Sequence, residues 1–149
     1  MTLEEEIKGH FRNDYHKGLI NLSYTARLLS YEFIQSLKKH EITEQQYNVL
    51  RILRGFRADA PLSIGFIKER MLDKDSDVSR IVERLFEKAM VSRKENSADR
   101  RQKDIEITAK GLLLLDSMLD CERHADKLLK NLTEEEIQEF NRLLDKIRN

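Results

Sequence analysis

Two neighbouring stretches of the chain carry side chains suited to contacts with nucleic acid. From residue 76 to 88 a helix is predicted, because apolar residues recur at three- and four-residue spacing and form one stripe. The stripe consists of Val78, Ile81, Val82, Leu85, Phe86 and Ala89, and it leaves short hydrogen-bonding groups and guanidinium groups outside. The outward residues are Ser76, Asp77, Ser79, Arg80, Glu83 and Arg84. We predict that all of these residues except Glu83 contact DNA, because such side chains can reach base edges and phosphates when a helix N-terminus enters a major groove.

A basic hairpin is predicted immediately after this helix. Val91 and the alternating Ile105 and Ile107 predict two short strands, joined by the polar residues 96–99. Five cations decorate the hairpin, namely Arg93, Lys94, Arg100, Arg101 and Lys103. Glu95 and Asp99 offset two of these five charges and leave a net charge of +3. This charge should be attracted to phosphates or to the negative potential of a narrow minor groove. We expect Asp99 to orient Arg101 rather than to neutralise the hairpin.

The elements that must position these residues are mostly helices, because the chain has one proline and five glycines. Apolar spacing predicts a long helix over Asp14–Lys39. Thr43 and Gln46 fit a capping box that opens a second helix, which should end near Gly55. Residues 57–61 are predicted to form a loop. A short helix over residues 63–71, a turn at MLDKD and a fourth helix over 76–88 then resemble a helix-turn-helix.

Two further helices are predicted after the hairpin. Thr108 can cap a helix carrying Leu112, Leu115, Leu119 and Leu128. Thr133 and Glu136 form another capping box before the last helix. The terminal helices cannot easily bury their apolar stripes alone, so we expect a homodimer in which they interleave and two recognition helices meet two half-sites.

Composition limits the other possibilities. The 27 basic and 27 acidic residues cancel, so no globally basic coat is present. A single cysteine, Cys121, excludes an intramolecular disulfide, and no signal peptide or membrane span is recognisable, so we expect a cytoplasmic protein.

Cys121 and His124 form only half of a zinc motif, and DKDSD departs from a calcium loop at its sixth and twelfth positions. No catalytic motif is present, so we expect no enzyme, metal or cofactor.

One face of the long helix is a candidate ligand site. Tyr24, Arg27 and Tyr31 are spaced i, i+3 and i+7, and two aromatic rings beside a guanidinium could hold a small aromatic or anionic ligand. The alternative is that these side chains pack in the dimer interface, where tyrosines are common.

The chain resembles the MarR family of bacterial transcriptional regulators over essentially its whole length. The resemblance rests on ITEQQYNVLRIL, SDVSRIVERLFEKAMVSRK and the D-x-R sequence Asp99–Arg101 running into IEITAKG. It implies a single domain over 1–149, with a winged helix-turn-helix over 42–111 flanked by dimerisation helices over 1–40 and 112–149. It also implies that residues 76–80 and Arg84 sit at the major groove, with Arg101 at the wing tip in the minor groove and Arg100 as a second wing contact.

Two positions depart from the family pattern. Ala89 stands where the family usually has a glycine ending the recognition helix, and a left-handed alanine there would cost about 1 kcal/mol. The acidic residues Asp73, Asp75 and Asp77 lie at the start of the recognition helix, where acids repel phosphates unless they cap the helix or accept from a cytosine amine.

The sequence thus predicts a regulator that binds a palindromic operator in double-stranded DNA and is released, as a repressor, by a small ligand or signal. The alternative is a winged-helix module that contacts a partner protein through its charged face without reading a DNA sequence.

The family resemblance also places the redox cysteine of oxidant-sensing members in the first helix, where this chain has none.

Overall fold

The computed structural model describes residues 1–149 and is mainly helical, with one antiparallel hairpin. The eight helices are α1 (Leu3–Ile7), α2 (Asp14–Lys39), α3 (Glu44–Gly55), α4 (Ile64–Arg70), α5 (Val78–Glu87), α6 (Ala109–Ser117), α7 (Leu119–Lys127) and α8 (Glu134–Arg148). The hairpin consists of β1 (Val91–Glu95) and β2 (Lys103–Ile107). The predicted fold class is therefore confirmed. No helix combines the length and the apolar character that a membrane crossing requires.

The chain packs as two compact units, which we describe separately. One unit contains Met1–Gln35 and His124–Asn149, and the other contains Ser36–Arg123. The boundaries between them fall inside α2 and α7.

The unit formed by the two chain ends has little core of its own. Leu3 of α1 is buried, and the short α1 is linked to α2 by an ion pair between the Glu4 carboxylate and the Lys17 ammonium at 2.6 Å. Helix α1 was not predicted, although Thr2 and Glu5 form a capping box there. Large apolar side chains on α2 and α8 stay exposed, namely Leu19, Leu22, Leu28, Tyr31, Leu143 and Ile147.

The second unit is built around α3. The predicted capping box of Thr43 and Gln46 opens this helix, which ends at Gly55 as expected. Helices α4, α5 and α6 and strand β2 all pack against α3. The largest side chains buried completely in this core are Leu50, Ile67, Met71, Leu85, Ile105, Leu115 and Met118.

A polar contact fastens α3 to the start of α7. The Tyr47 hydroxyl donates a hydrogen bond to the Glu122 carboxylate, and the Arg54 guanidinium lies 3.5 Å from the same carboxylate. Burial, and then the hydrogen bond to Glu122, raise the pKa of Tyr47 well above its ordinary value. Tyr47 therefore stays a neutral hydrogen-bond donor at physiological pH.

The segment between α3 and α4 contributes to the sheet. The predicted loop at 57–61 contains a 3₁₀ turn, Arg57–Asp59, and Leu62 then exchanges two backbone hydrogen bonds of 2.9 Å with Ile105 of β2. The Ser63 hydroxyl caps α4. The base of the hairpin is thereby fixed to the helical core.

The recognition helix predicted over 76–88 is α5. Its buried stripe contains Val78, Ile81, Val82 and Leu85, as the apolar spacing predicted. Two residues of the predicted stripe are exposed instead. Phe86 is 42 % exposed, because its ring turns towards the hairpin and lies under the Arg93 guanidinium. Ala89 is exposed because it lies beyond the end of α5, where the left-handed backbone no longer follows the helical spacing.

The C-terminal helices differ from the prediction in one respect. Thr108 caps α6 and the Thr133–Glu136 capping box opens α8, both as predicted. The single helix predicted from Thr108 to Leu128 is wrong, because the chain breaks at Met118 into α6 and α7. Met118 is itself completely buried, so packing in the core fixes the break.

Ala89 has a left-handed backbone with φ of 58°, the conformation considered above for the end of the recognition helix. We expect Ala89→Gly to raise the free energy of unfolding by about 0.5 to 1 kcal/mol, because glycine avoids the clash of Cβ and loses only part of that gain through its more flexible unfolded state. Urea denaturation measures the change. Ala109→Gly is the control, because Ala109 is helical and its replacement by glycine should lower the free energy of unfolding. The prediction is contradicted if Ala89→Gly lowers the free energy of unfolding as well.

Candidate nucleic-acid interface

The start of α5 uses its acidic residues for local hydrogen bonds. Asp77 is the N-cap, and its carboxylate accepts from the Arg80 backbone N–H at 3.2 Å. The Asp73 carboxylate accepts from the Asp75 N–H at 3.0 Å and from the Gln45 amide at 3.3 Å. Two of the three acids that raised the question of phosphate repulsion are therefore engaged in the turn and the helix cap.

The outward face of α5 exposes Ser79, Arg80, Glu83 and Arg84. Arg80 makes no ion pair and can turn towards an approaching polyanion. Arg84 is paired with Glu87 at 3.3 Å, an exposed pair that costs little to break. Hydroxyl and guanidinium groups thus project from the first two turns, where a helix inserted into a major groove meets base edges.

Ser76 does not belong to this outward face. It is 5 % exposed, and its hydroxyl has no hydrogen-bond partner. Its backbone N–H donates to the Asp73 carbonyl at 3.3 Å, so the turn before the helix cap directs the residue inward. Our expectation that Ser76 points outward with its neighbours was wrong, because it lies before the helix and does not follow the helical spacing.

The wing tip is held by side chains that accept from its own backbone. The Asn96 side-chain oxygen accepts from the N–H groups of Ala98 and Asp99 at 2.9 and 3.0 Å. The Asp99 carboxylate accepts from the Arg101 N–H at 3.0 Å. Asp99 therefore orients the backbone of Arg101, and it forms no ion pair with the Arg101 guanidinium.

The five cations of the wing fall into two groups. Lys94, Arg100 and Arg101 are exposed and make no ion pair. Lys103 lies 3.5 Å from the Glu95 carboxylate, and Arg93 is paired with Glu83 of α5. The wing therefore presents three free positive charges, two of them adjacent at its tip.

A cleft of about 520 Å³ lies between the start of α4, the helix α5 and the wing. Among its lining residues are Ser63, Ser79, Glu83, Arg93, Arg101 and Lys103. The structure thus brings predicted contacts from α5 and from both ends of the wing loop to one concave, mainly cationic surface. Such a surface can follow a phosphate backbone while neighbouring side chains enter the grooves.

The predicted ligand residues on α2 are not gathered around one cavity. Tyr24 is half-buried and lines a crevice of about 370 Å³ with Lys17 and Asn21, whereas Arg27 and Tyr31 are exposed and do not line it. Cys121 is a half-buried free thiol, and no three potential metal-binding side chains form a cluster.

The contact of Arg93 with Glu83 and Phe86 was not predicted from the sequence. Glu83 and Phe86 are three residues apart on α5, so they share a face, but the apolar period assigned Phe86 to the core. The arginine at the start of the predicted wing was the only available signal, and its distance from α5 depends on how the hairpin folds back.

Comparisons with known proteins agree with this geometry. Residues 42–103 match the model of the MarR family. The chain is 31 % identical over 107 residues to the HTH-type transcriptional repressor MdtR of Bacillus subtilis, which covers 71 % of this chain and 67 % of that protein.

Two solved structures share the fold. The S. aureus MepR–DNA complex superposes with a TM-score of 0.76 at 23 % identity, covering 93 % of this chain and 97 % of that one. Bordetella bronchiseptica BpsR, whose DNA binding is regulated by 6-hydroxynicotinic acid, superposes with a TM-score of 0.72 at 19 % identity, covering 89 % and 99 %.

Proposed function

The chain belongs to the MarR family of transcriptional regulators, and on that premise we propose that it is a cytoplasmic, homodimeric repressor that a small ligand releases from a palindromic operator. Helix α5 would read the major groove and the wing would enter the adjacent minor groove. Repression is supported by the similarity to MdtR, which is a transcriptional repressor.

Arg101 carries the DNA part of this proposal. Its side chain is exposed at the wing tip and has no internal partner, while its backbone is fixed by Asp99. An unpaired guanidinium that projects from a fixed backbone is well suited to a narrow minor groove, where the negative potential is strongest. The S. aureus MepR–DNA complex, which has the same fold, supports DNA as the binding partner.

The dimer part rests on the unit formed by the two chain ends. Its helices leave large leucine, isoleucine and tyrosine side chains exposed, with Ile147 at 71 % and Leu19 and Tyr31 at 63 %. A set of large apolar side chains left exposed on two helices favours an interface that would cover them. A twofold dimer would place two α5 helices on half-sites about one helical turn apart, which is why we expect a palindrome.

Ligand release requires that the ligand bind one dimer geometry better than another. A ligand near Tyr24, Arg27 and Tyr31 of α2 could stabilise a dimer whose α5 helices no longer match adjacent grooves. The coupling is reciprocal, so DNA would weaken ligand binding by the same factor. Regulation of BpsR by 6-hydroxynicotinic acid, an aromatic acid, supports a ligand of this chemical class.

The competing function is a winged-helix module that binds a partner protein through the same charged face. It predicts no preference among DNA sequences, because no base edge would be read. The experiment on Arg101 separates the two functions.

We expect Arg101→Ala to weaken binding to a duplex enriched from a random-sequence library by about 1 to 3 kcal/mol, because the wing tip loses its groove contact. Fluorescence anisotropy at two salt concentrations measures the affinity and its salt dependence. Arg123→Ala is the matched control, since this 74 % exposed arginine lies in the same unit and approaches only Asp120, at 3.9 Å. Equal losses in both variants, or equal affinity for every duplex, would favour the interaction module.

We expect light scattering to give twice the 17.7 kDa mass of one chain at micromolar concentration. Ile147→Asp should shift the protein towards monomer, because it places a charge on the exposed apolar face of α8. Leu72→Asp is the control, because Leu72 is 72 % exposed but belongs to the other unit. A monomeric wild type, or an unchanged dimer in Ile147→Asp, would count against this interface.

We expect salicylate to raise the melting temperature of the wild type by about 2 to 4 °C for each kcal/mol of stabilisation that binding supplies. Arg27→Ala should abolish the shift, because the guanidinium would no longer hold the carboxylate. Benzyl alcohol, which lacks the carboxylate, is the ligand control. No shift in either protein would leave the three residues as interface packing.

A further inference from the structure

The cleft between α4, α5 and the wing contains one acidic side chain, that of Glu83. The other charged residues that line the cleft are Arg93, Arg101 and Lys103. A carboxylate at this place repels phosphates, so it opposes the attraction that the wing cations exert on any DNA. Its presence in the cleft therefore needs a physical reason.

Glu83 is directed at one of these cations. Its carboxylate forms an ion pair with the Arg93 guanidinium, which also lies 4.8 Å from the centre of the Phe86 ring. The Arg93 side chain is 30 % exposed, whereas Arg101 is exposed and unpaired. Two residues on one face of α5 thus hold the first strand of the wing through a single arginine.

We propose that Glu83 is a specificity-determining residue. It acts by holding the Arg93 guanidinium in an ion pair within the protein, so that Arg93 does not bind a DNA phosphate. This inference rests on the proposed DNA-binding function. A free Arg93 would add a phosphate contact that every duplex offers, since phosphate contacts carry no sequence information. Paired with Glu83, Arg93 instead fixes the spacing between α5 and the wing, which only DNA with matching groove geometry can satisfy.

The structure favours this role over a simple phosphate contact for Arg93. A phosphate reaching Arg93 would displace Glu83 and leave the carboxylate beside the phosphate in the same cleft. The cation–π contact with Phe86 also holds the guanidinium in place. Among the cations that line the cleft, Arg101 has no such partners and is left free for DNA.

The test compares Glu83→Gln with the wild type, using the library-enriched duplex and a scrambled duplex of the same composition. We expect Glu83→Gln to bind the scrambled duplex more tightly and to lose part of its preference for the enriched one. The slope of log affinity against log salt should steepen by about 0.9 for each subunit, because Arg93 gains a phosphate. Each subunit then adds a loss of about 3.5-fold between 50 and 200 mM salt.

Three further variants show whether the effect depends on the pair of Glu83 and Arg93. Glu69→Gln makes the same change of charge on α4, where the exposed Glu69 carboxylate is paired with Arg70, and it should leave slope and preference unchanged. Arg93→Ala should lower the preference for the enriched duplex without reducing the salt slope. In the Arg93→Ala background, Glu83→Gln should have no further effect on the slope. Circular dichroism melts verify that each variant is folded.

Several outcomes would overturn the inference. These are an unchanged slope and preference in Glu83→Gln, an equal change in Glu69→Gln, or a slope that falls in Arg93→Ala as it would for a phosphate contact. If the wild type binds every duplex equally, the proposed function fails and this inference fails with it. If the wild type prefers the enriched duplex and Arg101→Ala weakens binding, a flat result for Glu83→Gln removes this inference alone.

Discussion

Helix α5 has to bury one face to complete the core of its unit, and this burial decides which side chains are offered to DNA. Val78, Ile81, Val82 and Leu85 face inward. With about 3.6 residues per turn, burying these positions directs the intervening Ser79, Arg80, Glu83 and Arg84 outward. The apolar packing that stabilises the fold thus also orients the candidate recognition surface, so the two cannot vary independently.

The wing depends on the same packing, but through polar contacts. Its base is tied to the core by the backbone pairing of Leu62 with Ile105, and its side is tied to α5 by Arg93. Its tip needs no tertiary contact, because Asn96 and Asp99 satisfy the backbone donors of the loop locally. The tip can therefore project from the molecule with ordered backbone and free guanidinium groups, which is the arrangement a groove contact requires.

Features determined by nearby residues could be predicted from the sequence, and those determined by tertiary packing could not. Two capping boxes placed the starts of α3 and α8 correctly, since both partners of each hydrogen bond lie within four residues. The burial of Ser76, the exposure of Phe86 and the helix break at Met118 depend on which surfaces meet in three dimensions. A helical period records one preferred face, and it does not show that an aromatic ring at its edge will turn towards a hairpin.

A net charge of zero is compatible with an electrostatic interface because the charges act locally. At physiological ionic strength, exposed charges separated by more than about 8 Å are largely screened from one another. The potential at the interface therefore depends on which nearby charges are paired. Arg100 and Arg101 make no ion pair, whereas Arg93 is paired with Glu83. By pairing some cations internally, a protein can limit its attraction to every DNA while keeping a few oriented charges for a duplex that fits.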